Sequence, residues 1–278
     1  MKLLFDKIAI QNSKLVTKTY STSFSLGIGF LAKRFQNPIY AVYGFVRLAD
    51  EIVDSFHGYP KREMLSELRA ETFTAIERGI STNPIIHSFQ EVVRKYKIDH
   101  SSIDIFLRSM EMDLDKHVYD QQGYEEYILG SAEVVGLMCL RVFMDGDNAK
   151  YEELKPYAMK LGSAFQKINF LRDFKADKDG LGRMYFPQLN YRPFDEATKR
   201  EIELDIFQDF EQGYEGIKML PKEVRFGVYV AYIYYSRLLN VIMQLPAKSI
   251  MEERIRISDN QKYALFFGSY LRHSFNLL

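Results

Sequence analysis

The sequence predicts an all-α protein, and three observations carry that prediction. Apolar residues recur at three- and four-residue intervals over segments of helical length. Five of the eight prolines stand where such segments would begin. Strands alternating with turn residues are not indicated anywhere along the chain. We therefore expect one all-α domain over residues 1–278, arranged as a helical bundle.

The predicted helices follow prolines or polar capping residues. Asn37-Pro38 and Asn83-Pro84 fit an N-cap followed by proline at the first helical position, where its missing N–H costs nothing. Pro60, Pro156 and Pro221 mark three further starts. The stretch 177–192 is predicted irregular because glycines and prolines interrupt it. The predicted helices are 41–54, 62–78, 85–96, 102–116, 124–143, 151–175, 196–215, 222–244 and 259–275.

Composition excludes several classes of protein. The 37 basic residues balance the 37 acidic ones, so the chain lacks the basic footprint of a nucleic-acid binder. A single cysteine, Cys139, excludes a disulfide framework and a cysteine-based zinc site, and the five histidines show no metal-ligand spacing. Asp6 interrupts the N-terminal apolar stretch, which argues against a signal peptide. No apolar run approaches the ~18 residues of a membrane span. We expect a cytoplasmic protein.

The strongest functional indication is a pair of largely apolar helices that each carry one polar stripe. In both stripes the polar residues are three or four positions apart, so they share one helical face. The stripes are Tyr43, Arg47, Asp50 and Asp54 in the first helix, and Gln166, Asn169, Asp173 and Asp177 in the second. A helix that is apolar around most of its circumference is buried, so each stripe must face something other than bulk water.

Paired carboxylates on a buried face need a counter-charge. Two carboxylates at i and i+4 repel each other and lose hydration, so either their pKa values rise or a cation lies between them. Oxygen ligands select Mg²⁺ or a similar hard ion, and Arg47 and Arg172 stand beside the aspartates to hold phosphate oxygens. A single DxxxD pair is common on solvated helices. Two matching pairs on apolar helices favour a shared cation and phosphate site.

Five short motifs resemble those of the squalene/phytoene synthase family and occur in the family's order. They are STSF at 21–24, ADEIVD at 49–54, AEVVGLM at 132–138, NFLRDFKAD at 169–177 and GRMYFP at 182–187. The resemblance covers nearly the whole chain and implies the all-α isoprenoid-synthase bundle around a central cavity. It also implies head-to-head condensation of two prenyl diphosphates with Mg²⁺ or Mn²⁺.

The resemblance also implies roles for individual residues. Asp50, Asp54, Asp173 and Asp177 would hold the metal against the diphosphates, with Tyr43 and Tyr185 at the reaction centre. The residues that would contact substrate are Ser21, Ser23, Phe24, Arg47, Gln166, Asn169, Arg172, Arg183, Tyr235 and Arg254. Thr22 stands where many relatives have a lysine, and Lys33 or Arg34 is a candidate replacement. Glu133 is an acid within an apolar segment and has no role in this scheme.

Segment 130–143, GSAEVVGLMCLRVF, resembles bacterial phytoene synthases more than squalene synthases. It favours a phytoene synthase of carotenoid biosynthesis that uses geranylgeranyl diphosphate and no NADPH. The alternatives are a squalene or dehydrosqualene synthase using farnesyl diphosphate, and a non-catalytic relative acting in complex assembly. Segments 3–10 and 263–278 have the composition of peripheral membrane contacts or of helices packed on the bundle, and packing is the favoured interpretation.

Overall fold

The computed structural model describes residues 1–115 and 118–257, and these residues form α-helices without a β-strand. The predicted helix 259–275 lies outside the described residues. The helices are α1 Lys2–Tyr20, α2 Thr22–Gly29, α3 Lys33–Asp54, α4 Lys61–Arg78, α5 Pro84–Tyr96, α6 His100–Asp115, α7 Gln121–Ile128, α8 Val134–Met144, α9 Asn148–Ala176, α10 Glu196–Met219, α11 Lys222–Gln244 and α12 Ala247–Glu252. The all-α prediction is confirmed.

Three of the five prolines mark helix starts as predicted. Pro60 and Pro221 are the residues just before α4 and α11, and Pro84 opens α5. The side chain of Asn83 caps α5, since its Oδ1 accepts from the N–H of Ile85 at 3.0 Å. A side-chain cap accompanies the proline only at α5, whereas at α4 and α11 the proline alone marks the start of the helix.

The prediction was wrong for Pro38 and Pro156, which lie inside α3 and α9. The first turn of α3 is held by tertiary contacts, because the N–H of Ala32 donates to the carbonyl of Glu223 at 2.9 Å. Phe35, only 1% exposed, packs in that turn. Helix α9 begins earlier because Asp147 caps it, its Oδ1 accepting from the N–H of Lys150 at 2.9 Å.

Helices α9 and α10 pack closely along much of their length. A Cβ at Gly216 of α10 would lie 2.3 Å from Cβ of Tyr157, so only glycine permits this approach. Further along, Lys160 and Lys167 of α9 both reach the buried carboxylate of Asp209, at 2.8 and 2.7 Å. These contacts fix α9 against α10 close to its polar stripe.

One helical run, Gln121–Met144, is long and apolar enough to cross a membrane by length and composition. The expectation that no segment approaches that length was therefore wrong, because helices α7 and α8 are joined by a π-helical turn, Leu129–Glu133, into one continuous run. Its most apolar window is 56% buried inside the protein, as in the core helix of a bundle. A single run of this kind is weak evidence for membrane insertion.

Candidate active site

A cavity of about 560 Å³ lies at the centre of the bundle, between α2, α3, α8, α9, α10 and α11. Much of its wall is apolar, with residues such as Ile28, Val135 and Val228. Residues of both predicted polar stripes stand in the same wall, namely Tyr43, Arg47 and Asp50 of α3 and Gln166, Asn169 and Arg172 of α9. The cavity therefore combines a polar region with a long apolar interior.

On α3, the side chain of Arg47 is held in place from several sides. It donates to Glu51, approaches Asp50 at 3.7 Å, and lies over the ring of Tyr20 at 4.3 Å. Its Nε is buried and has no hydrogen-bond partner among the described residues. A buried guanidinium N–H without an acceptor costs free energy. Glu51, which stands outside the DxxxD pair, serves to orient this arginine.

On α9, Asp173 receives two arginines. Arg172 donates to it through Nη2 at 2.5 Å, and Arg254, which follows α12, reaches it through Nε at 2.7 Å. The amide of Asn169 accepts from the hydroxyl of Tyr235 at 3.1 Å. The structure thus brings the two C-terminal candidates, Tyr235 and Arg254, to the stripe they were predicted to serve.

The two aspartate pairs face each other. Burial raises the pKa of Asp50 to about 7, and the adjacent Asp54 carboxylate adds to this rise. Burial likewise raises the pKa of Asp177 to about 7, with contributions from Asp173 and, across the site, from Asp54. Such shifts mark carboxylates that are removed from water and lie close to other negative charges. Four carboxylates converging from two helices are a fitting donor set for hard divalent cations.

The N-terminal motif forms the aromatic side of the site. Ser21 caps α2 by accepting from the N–H of Phe24 at 3.2 Å, and Ser21, Ser23 and Phe24 all line the cavity. The Phe24 ring lies 5.8 Å from that of Tyr43 and 6.1 Å from that of Tyr235. Capping therefore aims this motif into the cavity, beside the polar stripe of α3.

Arg183 and Tyr185 lie outside the cavity wall, and so do Asp54, Asp173 and Asp177. Arg183 is buried, and its Nη1 donates to Asp54 at 2.8 Å. Tyr185 is buried against Phe170, with their ring centroids 4.1 Å apart. Arg183 thus connects the stretch 177–192 to the first aspartate pair. Lys175, which precedes this stretch, donates instead to the carbonyl of Glu252 at 2.7 Å.

The sequence analysis did not identify Asp113, a buried carboxylate that bonds the residues around Arg183 and Tyr185. Its Oδ2 accepts from Tyr127 at 2.8 Å, and its Oδ1 accepts from Tyr119 and Tyr185, each at 3.3 Å. Arg183 donates to its backbone carbonyl at 3.0 Å. Burial raises the pKa of Asp113 to about 6. Tyr127 belongs to the cavity wall as well, so the network connects the aspartates to the cavity.

A pattern in the sequence could have indicated Asp113. It continues the apolar stripe of α6 at the spacing of Ile103, Phe106 and Met110, all of which are buried. An acid on an otherwise apolar face requires buried partners. Those partners come from residues that follow α6 and from the loop after α9, which periodicity does not reveal.

Two other charged groups lie apart from this site. Arg34, considered as a substitute for a lysine in the STSF motif, instead pairs with Asp145 at 2.9 Å and Glu223 at 2.7 Å. Ligand atoms of Asp6, His87 and Glu91 lie within 4.8 Å of one another, although the histidines show no metal-ligand spacing in the sequence. Lys2 donates to both acids of that group, at 2.9 and 3.3 Å, and so already supplies a positive charge.

Comparison with known proteins identifies relatives of this chain in sequence and in fold. The family model described as squalene/phytoene synthase matches residues 17–195. A 4,4'-diapophytoene synthase of Staphylococcus haemolyticus is 24% identical over 70% of this chain and 67% of its own. A 15-cis-phytoene synthase of Synechococcus elongatus is 24% identical over 85% of this chain and 84% of its own. A crystal structure of a dehydrosqualene synthase with ligand superposes with a TM-score of 0.82 at 22% identity, covering 96% of this chain and 98% of that one.

Proposed function

The chain belongs to the squalene/phytoene synthase family, and we propose that it is a phytoene synthase that joins two geranylgeranyl diphosphates head to head. Members of this family are prenyltransferases acting on prenyl diphosphates. The observation that carries the proposal is a largely apolar cavity with Asp50, Arg47 and Arg172 in its wall. The other three motif aspartates lie outside that wall, and the Asp54 carboxylate acts on the pKa of Asp50 and of Asp177. This arrangement suits a substrate with an anionic head and a long apolar tail.

The chain's own residues would bind the diphosphate groups. Arg47 and Arg172 line the cavity and are placed to hold diphosphate oxygens, with the amides of Gln166 and Asn169 beside them. Asp50, Asp54, Asp173 and Asp177 would hold Mg²⁺ or Mn²⁺. The metal, when bound, neutralises the leaving diphosphate so that the allylic C–O bond can ionise.

The cavity would then protect the reactive cation. The double bond of the second substrate attacks the allylic cation, and proton loss gives a cyclopropylcarbinyl diphosphate. A second ionisation, rearrangement and proton loss give the linear hydrocarbon. Water would quench these cations, so an apolar wall is required. Aromatic faces such as those of Phe24, Tyr43 and Tyr235 can stabilise positive charge without acting as nucleophiles.

Substrate length is the point on which the candidates differ. Relatives named phytoene synthase match 65% to 85% of this chain, which supports the geranylgeranyl substrate. The diapophytoene synthase match favours the second candidate, a dehydrosqualene or squalene synthase that uses farnesyl diphosphate. A non-catalytic role in complex assembly predicts that some of the four motif aspartates are replaced by other residues. All four are present, which favours an enzyme.

The test is a product assay on the purified protein with Mg²⁺. Geranylgeranyl and farnesyl diphosphates are supplied separately, each with and without NADPH, and the extracted hydrocarbons are identified by mass. We expect phytoene from geranylgeranyl diphosphate without NADPH. A product from farnesyl diphosphate alone would replace the proposal with the second candidate. The absence of hydrocarbon from a folded protein would instead favour the non-catalytic role.

A further inference from the structure

Helix α1 leaves an apolar strip uncovered. Its buried side, with Ala9, Ser13 and Thr17, packs against α3 and α5. On the opposite side Leu4, Ile8 and Leu15 are 61%, 43% and 64% exposed. Their spacing of four and seven residues places them in one line along the helix. Three large aliphatic side chains in one exposed line are unusual on a helix that packs its other face normally.

A row of lysines runs beside this strip. Lys7, Lys14 and Lys18 are spaced by seven and four residues, so they lie along the neighbouring edge of the helix. Lys7 and Lys18 are exposed, whereas Lys14 is half-buried with its Nζ 5.5 Å from the centre of the Tyr40 ring. The one acid of α1, Asp6, lies off this face and is bonded by Lys2 and His87. The face is therefore cationic and apolar, although the chain as a whole has zero net charge.

A second exposed apolar pair, on α10, has the opposite surroundings. Leu204 and Phe207 are 54% and 47% exposed. The exposed residues around them include more acids than bases, with Glu201, Asp205, Glu211 and Glu215 against Arg200 and Lys218. An anionic surface would be attracted to α1 and repelled by α10. The charge around each patch thus distinguishes two otherwise similar apolar patches.

We propose that the exposed face of α1 docks on an anionic lipid bilayer. Leu4, Ile8 and Leu15 would enter the boundary between headgroups and acyl chains, while Lys7 and Lys18 contact the acidic headgroups. An interfacial helix with leucines on one face and lysines next to them binds such surfaces through burial of its apolar side chains and through electrostatic attraction to the anionic lipids. The protein lies on the membrane in this arrangement and does not span it.

The C-terminal end of α1 lies at the wall of the cavity. The helix ends at Tyr20, and Tyr20 and Ser21 line the cavity beside Arg47. Docking therefore brings the part of the cavity wall that carries the polar groups close to the bilayer, where prenyl chains and a hydrocarbon product dissolve. This consequence for product release rests on the proposed function, whereas the docking itself does not.

The test is sedimentation of the full chain with vesicles, without substrate or metal. Vesicles of phosphatidylcholine alone are compared with vesicles that also contain phosphatidylglycerol, at about 0.15 M and about 1 M salt. We expect binding to the anionic vesicles that weakens at high salt. The double variant Lys7→Gln/Lys18→Gln loses about fivefold in partitioning per lysine. The triple variant Leu4→Ser/Ile8→Ser/Leu15→Ser loses at least about tenfold.

The matched control is Leu204→Ser/Phe207→Ser, which removes the exposed apolar pair on α10 and leaves vesicle binding unchanged. All the changed side chains are exposed, and thermal melting checks that each variant is folded. Equal binding by the parent and the α1 variants would overturn the proposal, and so would absence of parent binding. If the triple variant instead converts a dimer to a monomer in analytical ultracentrifugation, the face contacts a second copy and the proposal is wrong. Because no substrate is present, failure here leaves the product assay unaffected.

Discussion

At the scale of single residues, Asp113 shows how one buried acid can order several functional groups. Its carboxylate accepts from three tyrosines, and its backbone carbonyl accepts from Arg183, which in turn holds Asp54. Few of these groups could be satisfied by water, since Arg183 and Asp113 are 5% and 6% exposed. Buried networks of this kind are costly to break because each remaining partner is left unpaired.

Asp113→Asn should therefore destabilise the protein. The amide removes the negative charge that faces Arg183 and turns one acceptor into a donor, at a cost of about 3 kcal/mol in the free energy of unfolding. The measurement is urea denaturation at pH 8. Asp115→Asn is the control, because Asp115 is exposed and pairs with Arg62 on the surface. Equal stability of the two variants would show that the network contributes little.

Asp50 and Asp177 predict how stability depends on pH. Their folded-state pKa values of about 7 lie above the ordinary value of 3.8, so between these values the folded protein holds protons that the unfolded chain releases. The stabilisation that this provides is complete below pH 4 and is lost as pH rises through 7. The effect is modest, since the Asp50 side chain is still 32% exposed.

We expect the melting temperature of the metal-free protein to fall between pH 6 and pH 8. The measurement is a series of thermal melts in the presence of a chelator. Asp50→Asn should reduce the slope, because the amide does not titrate. A parent and a variant with the same pH dependence would contradict the assignment of these pKa values.

At the scale of elements, the contact between α9 and α10 depends on small residues. Gly213 and Gly216 both line the cavity, and both touch α9, at Leu161 and Tyr157. The ion pairs from Lys160 and Lys167 to Asp209 hold the next turns. Glu133, for which the sequence suggested no role, lies near this group, and burial raises its pKa to about 6 while Lys160 opposes the rise.

Gly216→Ala should loosen this contact. Its Cβ would lie 2.3 Å from Cβ of Tyr157, so the two helices must move apart, at about 1–3 kcal/mol of unfolding free energy. The measurement is again urea denaturation. Gly29→Ala serves as the control, because a Cβ at Gly29 meets nothing within 4 Å. A similarly small change in the free energy of unfolding of both variants would mean that the contact between α9 and α10 accommodates the added methyl group without strain.

At the scale of the whole molecule, the two aspartate pairs couple ligand binding to stability. Without a cation the bundle holds four converging carboxylates, two of which have raised pKa values. A ligand that binds only the folded state stabilises it according to its concentration and affinity. We therefore expect the melting temperature to rise more with Mg²⁺ and a diphosphate together than with either alone.

Mg²⁺ with a prenyl diphosphate analogue should raise the melting temperature by about 5 °C at a hundred times the dissociation constant. Asp50→Asn and Asp173→Asn should abolish most of this rise and lower the rate of product formation by about a hundredfold or more. The measurements are differential scanning fluorimetry and the product assay. Variants that keep the parent's shift would show that the assignment of the metal site is wrong.

The fold class, the two polar stripes and the four aspartates could be predicted from the amino-acid sequence, because helices and their faces follow from a local period of 3.6 residues. The start of α3, the residues that reach Asp54 and the partners of Arg34 depend instead on how the helices pack. Each of these depends on partners far along the chain, such as Glu223 for Ala32 and Arg183 for Asp54. Periodicity predicts which side of a helix is buried, but contacts between distant segments arise only when the helices pack.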